Sequence, residues 1–170
     1  SLQLANLAEQ AAKEVNGDAL LTRVGSLYHD VGKAKNPAFF IENQPVGKID
    51  THDSIDPVLT AATIIRHVTD GVKLAKKYRI PTQIQDFILE HHGTMLTMYQ
   101  YSQAVNDAGG EEKVEKSLFR YPGPIPHRKE TAILMFADGC EARMRSENPE
   151  SVDDIDRIVR QTINTYLEAD

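Results

Sequence analysis

The chain has 170 residues, is 41% hydrophobic, carries a formal net charge of −6 and contains a single cysteine. That is enough apolar material for one core of ordinary size, and too acidic a surface for non-specific attachment to duplex DNA or an anionic membrane. The longest apolar runs, such as Ala132 to Ala137, fall far short of the roughly 20 residues a bilayer-crossing helix needs, and lone Cys140, in an apolar helical pattern, excludes an internal disulfide and suits a reducing compartment.

Leu4, Ala8, Ala11, Ala12 and Val15 recur at helical spacing before Asn16-Gly17, so residues 1–16 read as a first helix with interspersed charge, unlike a signal peptide. Asp18 caps a second, whose Leu20, Val24, Leu27 and Val31 form the expected apolar stripe and whose C-terminal end carries His29 and Asp30. Residues 34–53, with Pro37, Pro45, Gly47 and Phe39-Phe40, have no sustained period and read as a long loop beside that pair. Asp56-Pro57 opens a third helix with Val58, Ala61, Ala62, Ile65 and Val68 around His67, and Asp70-Gly71 predicts a turn or kink before the segment Val72 to Tyr78. Pro81 opens another, in which Ile84, Phe87, Ile88 and His91 share a face before Gly93. Residues 94–127, containing Gly109-Gly110 and the run Tyr121 to Pro126, read as an irregular insertion. Helical periodicity returns from about Lys129 to Arg145, and a last helix starts at Ser151, with Asp154 three residues on, to bury Ile155, Ile158, Val159, Ile163, Tyr166 and Leu167. No segment alternates as a strand, so the expectation is an all-α, single-domain helical bundle over 1–170.

The chemistry lies in Tyr28-His29-Asp30-Val31-Gly32-Lys33 and in His67, His91-His92 and Asp138. Imidazoles and carboxylates offered from separate helices are what a two-metal hydrolytic centre requires. A lone histidine on an apolar face, as His67 is, more often belongs to the core. Asp138, among Leu134, Met135 and Ala142, is costly to bury without a partner; metal ligation and an Arg or helix-interior hydrogen bond are evenly matched solutions for it alone. The joint occurrence of all these residues favours a site. His52 reads as a solvated turn residue, and His127, in His127-Arg128-Lys129, as a surface residue.

These residues resemble the HD superfamily of phosphohydrolases over essentially the whole chain. The nearer likeness is to the cytoplasmic domain of bacterial seven-transmembrane HD proteins that hydrolyse cyclic di-AMP, through Asn6-Leu7-Ala8-Glu9, Phe40-Ile41-Glu42-Asn43-Gln44, Glu90-His91-His92-Gly93-Thr94 and Arg120-Tyr121-Pro122-Gly123-Pro124. The resemblance implies that His29, Asp30 and Asp138 hold one metal, that His67, His91 and His92 hold the other, and that Asp30 bridges both. The family pattern has one further histidine, immediately ahead of the position of Ser1, as an additional ligand of the first metal. It also implies a cytoplasmic domain of a membrane-anchored parent, with no membrane contact by this segment.

Imidazole and carboxylate ligands suit iron or manganese, with zinc or nickel as alternatives and magnesium disfavoured. Two such cations would acidify a bridging water for in-line attack on phosphorus. Lys33 is placed to offer an ammonium to a phosphate oxygen, or else is a solvated lysine stabilised by the helix dipole. The implied substrate is cyclic di-AMP, opened to linear pApA. Relatives that cleave cyclic di-GMP carry Gly-Tyr-Pro after the histidine doublet, where Gly93-Thr94-Met95 stands here. Arg66, Arg120 and Arg128 are candidates for a second phosphate, and Tyr121, Phe39 or Phe40 for stacking on a base. The competing readings are a cyclic-dinucleotide sensor with little turnover and, ranked last, a single-metal HD nucleotidase.

Overall fold

A computed structural model of the chain describes residues 2–40 and 56–169. Among them the fold is all-α. Helix α1 (Leu2–Glu14) lies against α2 (Ala19–Tyr28) and α6 (Lys129–Glu147); α2 also meets α4 (Thr82–Glu90) and α6; α3 (Pro57–Lys77) packs on α4 and α5 (Met98–Ala108); α7 (Val152–Leu167) packs on α6. Leu4, Ala8, Phe87, Leu134 and Ala137 form one core cluster, and Ala61, Tyr101 and Phe119 a second, on the far side of α3.

The start signals read from sequence are used. The Asp18 carboxylate accepts from the Leu21 amide at 2.9 Å, Asp56 from Val58 at 2.7 Å, and the Ser151 hydroxyl from Asp154 at 3.1 Å. Helix α2, however, buries the opposite face from the expected stripe: Leu20 and Leu27 are exposed, whereas Thr22, Gly25, Ser26 and His29 are buried. A Cβ on Gly25 would stand 2.3 Å from the Phe87 ring, so a small-residue face is what lets α2 approach α4. Thr22 and Ser26 are buried without penalty because each hydroxyl donates 2.7 Å to a carbonyl one turn back.

Three further expectations are corrected. Helix α3 runs through Asp70-Gly71 without interruption. Gly71 serves close approach instead, since the backbone of Gly32 packs against it and a Cβ on Gly32 would lie 1.8 Å from the His67 carbonyl oxygen. Residues 94–127 contain α5, with Tyr101, Ala104, Val105 and Ala108 at helical spacing, and short 3-10 turns at Glu111–Lys113 and Lys116–Phe119. Val58 and Ala62 on α3, and Ile155 and Leu167 on α7, are exposed rather than buried. The start of the expected long loop is 3-10 turn at Val31–Lys35 and Pro37–Phe39, while residues 41–53, with His52 and most of Phe40-Ile41-Glu42-Asn43-Gln44, lie outside the described residues.

Candidate metal centre

Four elements deliver donors to one place. The end of α2 supplies His29 and, one residue on, Asp30; the middle of α3 supplies His67; the end of α4 supplies His91 and His92; α6 supplies Asp138. Asp30 stands among them, its carboxylate oxygens 3.2 Å from His29 Nε2, 3.3 Å from His67 Nε2, 3.7 Å from His91 Nε2 and 2.7 Å from Lys33 Nζ. Asp138 Oδ1 lies 3.7 Å from His29 Nε2.

The backbone fixes which ring nitrogens face inward. His29 Nδ1 donates to the Ser26 carbonyl at 2.7 Å, His67 Nδ1 to Ile64 at 2.5 Å, and His91 Nδ1 to Ile88 at 2.9 Å. A carbonyl only accepts, so each Nδ1 carries its proton, and in the neutral ring Nε2 presents a lone pair. His67 Nε2 and His91 Nε2 stand 3.2 Å apart. Two such lone pairs repel unless an electron-pair acceptor lies against them. For His91, burial and the neighbouring positive charge of His29 push the imidazole well below its ordinary range, so a proton is a poor acceptor there; burial does the same to His92.

At His29 the demand is for positive charge. Burial works against protonation, yet the Asp30 and Asp138 carboxylates raise the imidazole to about 10. Burial likewise opposes ionisation of Asp30 and Asp138, and the His29 charge outweighs it, holding both below the usual carboxylate range. Buried His29 Nε2 and Asp30 Oδ1 have no hydrogen-bond partner. Among the described residues, two groups of three have ligand atoms within 4.8 Å of one another and could hold a metal ion: His67, His91 and His92, and His29, Asp30 and His91. The donor set fits a transition metal, but its grouping departs from the division expected above: His91 falls in both groups, Asp138 in neither, and Asp30, expected to bridge both metals, in one.

The surroundings hold the ligands in place. Tyr121 stacks on the His92 ring at a centroid distance of 4.2 Å, fixed there by its amide, which donates to the Met95 carbonyl at 2.9 Å. Tyr121 is buried, and its aromatic face serves the histidine rather than an open surface. Glu90, beside the doublet and almost fully buried, stands in the string Glu90 to Thr94, but nothing in the sequence assigns its side chain a task. It accepts from the His127 amide, from His127 Nδ1 and, at 2.7 Å, from the Thr131 hydroxyl, so it joins the end of α4 to the start of α6. His127, expected to be a plain surface residue, therefore has a structural partner. Glu90→Ala leaves the His127 amide and Nδ1 without their acceptor, while the Thr131 hydroxyl keeps the Arg128 carbonyl at 3.1 Å, and is expected to cost about 3 kcal/mol, against about 1 kcal/mol for Thr131→Val, as read by denaturant unfolding.

A cleft of about 860 Å³ opens beside the cluster, lined by Leu2, Gln3 and Leu4 from α1, His29, Asp30, Lys33, Ala34 and Pro37, and Asp138, Glu141 and Arg145 from α6. A smaller one of about 250 Å³ lies on the other side of His67 and includes Arg66 and Phe40. Arg120 and Arg128 line neither: the first donates to the Thr94 carbonyl at 2.7 Å, and the second reaches His127 at 3.2 Å and Asp86 at 4.0 Å. Glu141 and Arg145 share the Asp138 side of α6 at i+3 and i+7, a spacing present in the sequence; only the packing of α6 shows that this side faces a cleft.

The HD domain family model matches residues 1–160. The chain is 46% identical over 157 residues to an uncharacterised protein of Synechocystis sp., covering 89% of this chain and 19% of that protein. It is 40% identical over 169 residues to the cyclic-di-AMP phosphodiesterase PgpH of Bacillus subtilis, covering 99% of this chain and 23% of PgpH. The chain thus spans about a fifth of the length of these curated relatives. The crystal structure of the Listeria monocytogenes PgpH HD domain in complex with cyclic di-AMP superposes with a TM-score of 0.90 at 36% identity, covering 99% of this chain and 76% of that one.

Proposed function

This chain belongs to the HD domain family, and from that premise we propose that it is the catalytic domain of a metal-dependent phosphodiesterase that opens cyclic di-AMP to linear pApA. The observation that carries the reading is the convergence of His67 Nε2 and His91 Nε2, 3.2 Å apart, beside the Asp30 carboxylate, with both Nδ1 atoms committed to backbone carbonyls. The ligands are His29, Asp30, His67, His91, His92 and Asp138, and the ions are iron or manganese, because neutral imidazoles outnumber carboxylates.

Bound there, divalent cations acidify water and neutralise the phosphoryl oxygens. The protein's own contribution is position. Asp30 sets the spacing between the two groups of imidazoles, and the carbonyls of Ser26, Ile64 and Ile88 prevent the rings from turning away. Lys33, held over the Phe40 ring 5.2 Å from its centroid and paired with Asp30, puts an ammonium in the cleft wall beside the cluster, where negative charge would grow on the phosphoryl oxygens. The substrate is assigned as cyclic di-AMP on the likeness to PgpH over the whole chain.

Among the described residues no helix is long and apolar enough to cross a membrane. Within a longer protein of the PgpH kind, the domain is the cytoplasmic part of a membrane-anchored parent. The test of function is chromatography of products from cyclic di-AMP, cyclic di-GMP and mononucleotides incubated with manganese-loaded protein. Linear pApA as the preferred product supports the proposal; saturable binding of cyclic di-AMP without any linear product replaces it with a sensor.

A further inference from the structure

The larger cleft contains one cation that the chemistry described so far leaves without a task. Asp138, Glu141 and Arg145 stand at i, i+3 and i+7 on α6, one face of a helix, and all three line the cleft wall. Seven residues of helix place the Arg145 backbone about 10 Å from that of Asp138. Helical side chains lean toward the N-terminus, and that of Arg145 does so, its Nη2 reaching Glu141 at 2.5 Å. Its guanidinium therefore points back along the cleft toward the metal-ligand cluster and stops one helical turn short of Asp138.

We propose that Arg145 is the anchor for the second phosphate of a cyclic dinucleotide whose first phosphate lies at the Asp30 cluster. The inference rests on the phosphodiesterase reading above and adds to it a specificity residue and a direction of binding. A substrate with two phosphodiesters presents one anionic group to the ligands of the metals and a second, fixed by the covalent ring, further along the same cleft. Lys33 is paired with Asp30 beside the cluster and belongs to the first group; Arg145, about 10 Å along α6 from Asp138 in the same cleft wall, is the cation left for the second. The partner it has to leave is a weak one. Glu141 and Arg145 form an i,i+4 pair with side chains 40% and 54% exposed, the kind of contact that water and salt readily replace. A planar guanidinium gains two parallel hydrogen bonds from a phosphate, so exchange of Glu141 for the ligand is favourable. Leu2, Leu4, Ala34 and Pro37 line the same cleft and give it apolar surface suited to the faces of nucleobases.

The test compares two substrates on the manganese-loaded protein. Cyclic di-AMP has two phosphodiesters and bis(p-nitrophenyl) phosphate has one. For Arg145→Ala, the ratio of KM for cyclic di-AMP to KM for bis(p-nitrophenyl) phosphate is expected to rise about tenfold, the scale of one lost charge-assisted contact, with kcat on cyclic di-AMP changed much less. Glu141→Gln, which removes the carboxylate charge and weakens its hold on the guanidinium, is expected to move that ratio the other way. Equal losses on both substrates, or an unchanged ratio, overturn the assignment. If the wild-type protein makes no linear product, the phosphodiesterase reading fails by itself. The assignment is then decided by calorimetric titration with cyclic di-AMP, where a tenfold weaker Kd for Arg145→Ala supports it and an unchanged Kd or no binding by the wild type overturns it. Both residues are exposed on one helix, and matching thermal unfolding curves exclude a folding defect.

Discussion

Asp30→Ala is expected to lower kcat on cyclic di-AMP by about a thousandfold or more while the domain remains folded. Among the described residues no other carboxylate has its position: the side chain stands within 3.2–3.7 Å of Nε2 atoms from three different helical segments and 2.7 Å from Lys33 Nζ. Removing it takes away a proposed ligand and the negative charge that offsets a cluster of imidazoles and an ammonium. Asp30→Asn, which keeps the shape and lowers the charge, is expected to lose nearly as much, whereas a purely spatial role would be rescued by it. Steady-state product formation checks both, with metal content measured on the same samples. Turnover at the wild-type rate in Asp30→Ala removes the residue from the reaction.

His91→Ala is expected to strip both ions, whereas His92→Ala strips one. His91 is the ring common to the two donor groups, and its centroid lies 5.0 Å from that of His29, 5.3 Å from His67 and 4.0 Å from His92. His92 belongs to one group alone. Inductively coupled plasma mass spectrometry on the purified variants distinguishes the cases, and the unfolding midpoint guards against a collapse of the buried cavity left by His91. Equal metal loss in the two variants would place the rings in equivalent roles and contradict the shared position.

How much of this the sequence carries depends on whether the signal is local. The helix starts at Asp18, Asp56 and Ser151 are local, since a cap bonds to amides two or three residues away, and each has its hydrogen bond. The gathering of His29, Asp30, His67, His91 and His92 was legible through their chemistry, because buried imidazoles and carboxylates need partners. The α2 stripe misled because apolarity is not what selects its buried face: Gly25 and Ser26 are inside so that Phe87 can reach the backbone, and that depends on a helix 60 residues away. Gly71 is likewise a contact with Gly32, not a break. Helix α5 was legible in the spacing of Tyr101, Ala104, Val105 and Ala108, and was obscured by the glycines and prolines that follow it. The tasks of Glu90 and Arg145 were not legible, although Glu90 stands in the string Glu90 to Thr94 and Arg145 at helical spacing from Asp138: only tertiary packing sets one against His127 and the other in the cleft wall.

In the proposed centre, buried and half-buried nitrogen and oxygen donors gather to grip a pair of cations. Anomalous diffraction from crystals of this protein soaked in manganese tests it most directly. Two peaks flanking the Asp30 carboxylate, one against His67 and His92 and one against His29, are the predicted result. No peak at Asp30, or a single peak distant from it, would contradict it.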